Sequence, residues 1–198
     1  MTVTTQPPPG PYPRTGVGFG DDGRQIQLGN DDTECGWTPM STKITMQLTY
    51  DASAEAVASM LDDQSFREAV LERQHVTRGS ATIDGGEVIL EQVWSSGDLP
   101  SLVQKLVGDE IVIVQKETWT SPASADVTLS IPGKPGEAVG IFTLTESGGT
   151  TTELIDLDLS VRIPLVGGKI ESLVAGLVRE AFNREHEVGV EWLAGLPR

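Results

Sequence analysis

Cysteine is nearly missing from this chain, with Cys35 alone among 198 residues. One thiol makes no intrachain disulfide and no multi-cysteine metal site. Histidine is almost as scarce: His75 and His186 are the only two, so a zinc site of the usual nitrogen and sulfur ligands is not expected. The Glu185-His186-Glu187 run does not supply one, because neighbouring helical residues diverge by about 100° and cannot all face one ion. Nor do two histidines support a Ser-His-Asp arrangement, and the nucleophile elbow, the P-loop and a dinucleotide fingerprint after a strand are all missing. No metal and no cofactor are therefore expected. Positive charge is also short. Lys and Arg number 14 against 29 Asp and Glu, for a net charge of −15, the wrong sign for a nucleic-acid partner or an anionic membrane surface. We read the acidity mainly as a solubility device. No apolar run approaches the ~18 residues of a membrane helix, so no stable membrane insertion is expected. The N-terminus lacks the basic start and apolar stretch of a secretory signal. A cytoplasmic location follows by elimination.

What is present divides in two. Residues 1–40 are rich in Pro and Gly, as in Gln6-Pro7-Pro8-Pro9-Gly10-Pro11-Tyr12-Pro13 and Gly16-Val17-Gly18-Phe19-Gly20. Such sequence buries too little apolar surface to offset its ordering entropy, and is expected to be a disordered tail. Met40, directly before structured-looking sequence, is a candidate native start. The domain is expected over residues 41–196.

The domain opens on Lys43–Tyr50, where Ile44, Met46, Leu48 and Tyr50 share one strand face. Asp51 and Ser53 can cap a short helix, and Ser65 with Glu68 has the spacing of a capping box for a second helix. Phe66, Val70 and Leu71 face inward on that second helix. Six strand-like segments follow, many joined by tight Gly-rich turns such as Asp84-Gly85-Gly86 and Ser147-Gly148-Gly149-Thr150. Strands joined so closely pair antiparallel. Leu99–Val107 between them reads as a short helix or loop. Beyond Pro164, Ile170, Leu173, Val174, Leu177, Val178, Ala181 and Phe182 fall at i, i+3, i+4, i+7 spacing. That stripe defines a long helix, roughly 167–193, whose apolar face covers the sheet. The fold class is α+β.

This order of elements resembles the helix-grip fold of the superfamily (SRPBCC) that includes START domains, polyketide cyclases and birch-pollen-allergen-like proteins. Tyr50-Asp51-Ala52-Ser53-Ala54-Glu55-Ala56-Val57 resembles its opening. The runs Ile163-Pro164-Leu165-Val166-Gly167-Gly168-Lys169-Ile170-Glu171 and Arg184-Glu185-His186-Glu187-Val188-Gly189 resemble the domain of unknown function 2505 family within it. The resemblance spans about residues 41–194. It implies a curved antiparallel sheet gripping the long helix, with a cavity between them, and it implies no catalytic residues.

Such a cavity is the default site for a hydrophobic ligand. Glu185 stands out, since it falls on the inward arc of the last helix, where a lone carboxylate is costly unless paired or protonated. It is a polar anchor or a general acid in the cavity. Alternatively, it reaches the cavity mouth or pairs with an arginine such as Arg162 or Arg78. Leu177, Val178 and Ala181 are candidate ligand contacts on the same helix, and Trp94 and Trp119 on the strands. Asp156 and Asp158 share one strand face and read as surface charges. The expected function is non-catalytic carriage or sensing of a lipid-like small molecule, gated by the long helix or by Leu99–Val107. The alternative is a cyclase- or aromatase-type enzyme that uses cavity carboxylates.

Overall fold

The computed structural model describes residues 41–195, apart from the side chain of Asp98. The expected tail over residues 1–40, with Cys35, lies outside them. Alternating apolar residues build β1 (Thr42–Tyr50), with Ile44, Leu48 and Tyr50 buried. Helix α1 (Ala54–Leu61) follows, capped by the Ser53 hydroxyl, which accepts from the Ala56 amide at 3.2 Å. Helix α2 runs Gln64–Arg73, and its cap differs from the expected Ser65–Glu68 box. The carboxylate of Asp63 accepts from the amides of Ser65 at 2.7 Å and Phe66 at 3.2 Å. A charged oxygen serving two open amides at the positive end of the helix dipole displaces the neutral hydroxyl two residues on.

The remaining strands are β2 (Arg78–Asp84), β3 (Glu87–Ser95), β4 (Glu110–Ser121), β5 (Ser124–Ser130), β6 (Gly136–Ser147) and β7 (Thr150–Val161). Gly85 and Gly86, at φ 57° and 87°, make the β2–β3 turn that a residue with a Cβ would strain. The 99–107 segment resolves into a loop and a short helix, α3 (Ser101–Val107), preceded by a 3-10 turn over Ser96–Asp98. All seven strands form one antiparallel sheet in the order β1-β7-β6-β5-β4-β3-β2. Helix α4 (Gly167–Leu193) lies across its inner face.

The interior is not filled evenly. A dense core gathers Ile44, Tyr50, Phe66, Phe142, Ile155 and Leu157 under α1, α2 and the C-terminal half of α4. Close approach there depends on Gly189, where an added Cβ would lie 2.9 Å from Tyr50 Cε1 and 3.1 Å from Met60 Cε. Under the N-terminal half of α4 the same apolar stripe continues, but Val174, Leu177, Val178 and Ala181 are only half-buried. They face a cavity instead of packed side chains.

Candidate functional site

A buried ion cluster separates the dense core from that cavity, and its centre is Arg67. This arginine lies on the inward arc of α2, three and four residues before Val70 and Leu71, and is 0% exposed. Its planar fork is fully used. Nε donates to the Leu61 carbonyl at 2.8 Å, at the end of α1. Nη1 meets Glu185 of α4 at 2.8 Å, and Nη2 meets Glu117 of β4 at 2.7 Å. Glu117 also accepts from Gln115 Nε2 at 2.8 Å and Trp119 Nε1 at 3.0 Å, its neighbours on the same strand face. Glu153 of β7 is 3% exposed and accepts from the Tyr50 hydroxyl at 3.0 Å. One guanidinium thus serves three buried carboxylates.

The electrostatic consequence is a set of carboxylic acids that hold their protons late. Burial pushes Glu185 up to about 7; the Arg67 charge pulls the other way and Glu117 adds to the rise. Glu153 is pushed up to about 8, chiefly by burial and then by the charge of Glu185. The Tyr50 hydroxyl is raised by burial and by the Glu153 charge, so it stays a donor. Burial opposes the charge on Arg67, yet Glu117 and Glu185 outweigh it and hold the guanidinium protonated.

Beyond Glu185 lies the cavity, about 450 Å³ in volume. Aliphatic side chains make most of its wall: Val103 and Leu106 of α3, Ile111 and Ile113 of β4, and Val174 and Leu177 of α4 among them. Of the residues expected from sequence, Glu185, Trp94, Leu177, Val178 and Ala181 all line it. Trp119 does not. It packs between the two apolar clusters, with its N–H on Glu117. Glu185 pairs with neither Arg162 nor Arg78, which instead bind Glu137 at 2.5 Å and Glu110 at 2.8 Å on the surface. Asp156 and Asp158 are on the solvated face, 3.6 Å and 3.9 Å from Lys43 Nζ. His186 touches the Thr49 carbonyl at 2.8 Å and the edge of the Tyr50 ring. Among the described residues, no group of three or more metal-ligating side chains is placed to hold an ion.

A family model described as protein of unknown function (DUF2505) matches residues 45–193. The chain belongs to the DUF2505 family. An uncharacterized protein of Mycobacterium tuberculosis is 27% identical over 171 residues, covering 78% of this chain and 98% of that protein. Among solved structures, a protein of Thermus thermophilus is similar at a TM-score of 0.57 and 16% identity, covering 78% of this chain and 98% of its own. The Zhui aromatase/cyclase from a Streptomyces species is similar at 0.58 and 10% identity, covering 78% of this chain and 94% of its own. At such identities the likeness establishes the fold alone. This DUF2505 domain has the helix-grip fold of the START, polyketide-cyclase and birch-pollen-allergen-like superfamily.

Sequence reading missed Arg67, Glu117, Glu153 and Tyr50 as one cluster. The signal was present in part. Glu153 shares parity with Ile155, Leu157 and Leu159, and Glu117 shares it with Ile111 and Ile113, so both carboxylates belonged to the inner face.

Proposed function

We propose that this DUF2505 domain is a non-catalytic cytoplasmic carrier or sensor that binds one hydrophobic or amphipathic, lipid-like small molecule between the sheet and α4. The observation that supports it is the cavity itself, about 450 Å³ and walled mainly by aliphatic side chains, within the ~300–1,000 Å³ of small-molecule sites. Each 100 Å² of ligand apolar surface buried there contributes about 2.5 kcal/mol before the costs of association.

The cyclase-type alternative draws on Glu185, a wall carboxylate pushed up to about 7 and so poised to exchange a proton near neutrality. Against it, the Arg67 guanidinium holds Glu185, and the other wall carboxylates, Glu137 and Glu180, are paired with Arg162 and Arg184. Glu117 and Glu153 are not on the wall. Acid–base work calls for two groups with separated roles facing the substrate.

Native mass spectrometry of the purified protein, with extraction of any retained lipid, tests the binding reading. Leu177→Trp supplies the control, because an indole in place of a wall leucine occupies the cavity. The expected result is a bound small molecule in the wild type and its loss in a folded Leu177→Trp variant. Apo protein from several expression hosts, together with no uptake of an apolar fluorescent probe, would overturn it.

A further inference from the structure

The polar corner of the cavity is rich in acceptors and poor in free donors. The Trp94 indole N–H is given to Gln92 Oε1 at 3.1 Å, Gln115 Nε2 to Glu117 at 2.8 Å, and Gln74 Nε2 to the Ala181 carbonyl at 3.3 Å. Arg67 has each of its nitrogens on a protein oxygen and is absent from the wall. The cations that do line the wall are engaged as well, Lys134 by the Leu106 carbonyl and Arg184 by Glu180.

Acceptors are in surplus. Gln74 lines the cavity, is 3% exposed, and its Oε1 is buried with no hydrogen-bond partner. Its orientation is fixed by chemistry, since exchanging oxygen and nitrogen would set two oxygens against each other at Ala181. A modest turn about the broad terminal torsion of a glutamine presents Oε1 to the cavity. Glu185 follows Ala181 by one helical turn on α4, so the two acceptors share a corner. Glu185 keeps 8% of its side-chain surface open there. Its carboxylate belongs to a group of three served by a single guanidinium, which leaves acceptor capacity unmet.

We propose that the ligand's buried head is a hydrogen-bond donor, an alcohol or an amine, held at the Glu185–Gln74 corner, and that carboxylate amphiphiles are refused. The proposal rests on the binding reading above and names the ligand class within it. A donor head meets the unpaired Gln74 oxygen and the under-served Glu185. A fatty-acid anion meets Glu185 as a like charge and finds no free cation among the described residues of the wall. The volume admits about 15 water-sized groups at ~30 Å³ each, enough for a twelve-carbon chain and its head.

Displacement of phenylnaphthylamine from the full chain tests this, with dodecane, dodecanol, dodecylamine and dodecanoate as matched competitors. Dodecanol or dodecylamine should compete about tenfold better than dodecane, the gain of one well-placed hydrogen bond. Dodecanoate should compete no better than dodecane. An amine ahead of the alcohol assigns the charge of Glu185 to recognition, and the reverse assigns a neutral corner. Gln74→Leu should shrink the margin of the alcohol over the alkane. If phenylnaphthylamine binds but dodecanoate matches or beats both donors, or no donor outdoes dodecane, the head-group inference is wrong while cavity binding stands. If phenylnaphthylamine and every competitor fail to bind, both fall together.

Discussion

Replacing Arg67 with methionine removes the cation from a buried group of carboxylates while keeping most of the side-chain volume. Glu117 and Glu185 then lose ion pairs of 2.7 and 2.8 Å, and the Leu61 carbonyl loses its donor. Removing one partner of a buried pair costs about 3–5 kcal/mol, because the other charge stays desolvated. For a domain of this size that lowers Tm by about 6–20 °C, a large part of the 5–15 kcal/mol that holds a typical fold. The combined variant Arg67→Met/Glu117→Gln/Glu185→Leu discharges the orphaned carboxylates and should recover most of the loss. Urea unfolding followed by tryptophan fluorescence reads both. A pH series adds a signature that a mere packing defect lacks. Without the guanidinium, the carboxylates are harder to ionise in the folded state, so the loss in Arg67→Met should be small near pH 5 and grow toward pH 8. If Arg67→Met is within about 1 kcal/mol of wild type at pH 8, or if the triple variant is no better than the single one, the cluster does not carry the electrostatic load assigned to it.

The wild-type domain should lose stability as pH rises from about 5 to about 9. The folded state keeps protons on Glu185 and Glu153 up to about 7 and about 8, whereas the unfolded chain releases them near 4.5. The folded state therefore binds more protons throughout that window, and raising pH favours unfolding. Glu153→Gln, which leaves an acceptor for the Tyr50 hydroxyl, should flatten the slope; stability that is level or rising in wild type across that range contradicts the burial argument. Gly189→Ala places a methyl group 2.9 Å from Tyr50 Cε1 and should cost about 1–3 kcal/mol by overpacking. An unchanged urea midpoint would show that α4 can lift off the sheet there at little cost.

The architecture was legible because period and punctuation agreed along most of the chain. The alternation of Ile155, Leu157 and Leu159 against Asp156 and Asp158, and the stripe from Ile170 to Phe182, each specify one face of one element. The ion cluster was harder to see, since its members lie on α2, α4, β1, β4 and β7, and their meeting depends on tertiary placement. A buried arginine looks like any other in a sequence. Only its position on the Val70–Leu71 face set Arg67 apart from the exposed Arg162 and Arg78. The orphan oxygen of Gln74 was beyond reach for the same reason, because a polar residue at the end of a helix gives no sign that the fold will leave one of its atoms unmet.

Helix α4 is pinned like a beam at both ends. Near its start, the Glu171 carboxylate accepts from the Val161 amide at 2.8 Å and the Thr42 hydroxyl at 3.0 Å. Toward its end, Glu185 is tied to Arg67, Glu191 to Arg73 at 2.6 Å, and Trp192 meets the Phe66 ring edge-on. The span that roofs the cavity lies between these piers, so it cannot swing open as a hinged flap would. The opposite wall has no such moorings: α3 is seven residues long, has no side-chain cap at its start, and buries only Val103. Short, weakly capped segments with little buried surface open at the lowest free energy. Traffic into the cavity would then pass beneath α3, with the roof and the charged cluster left standing.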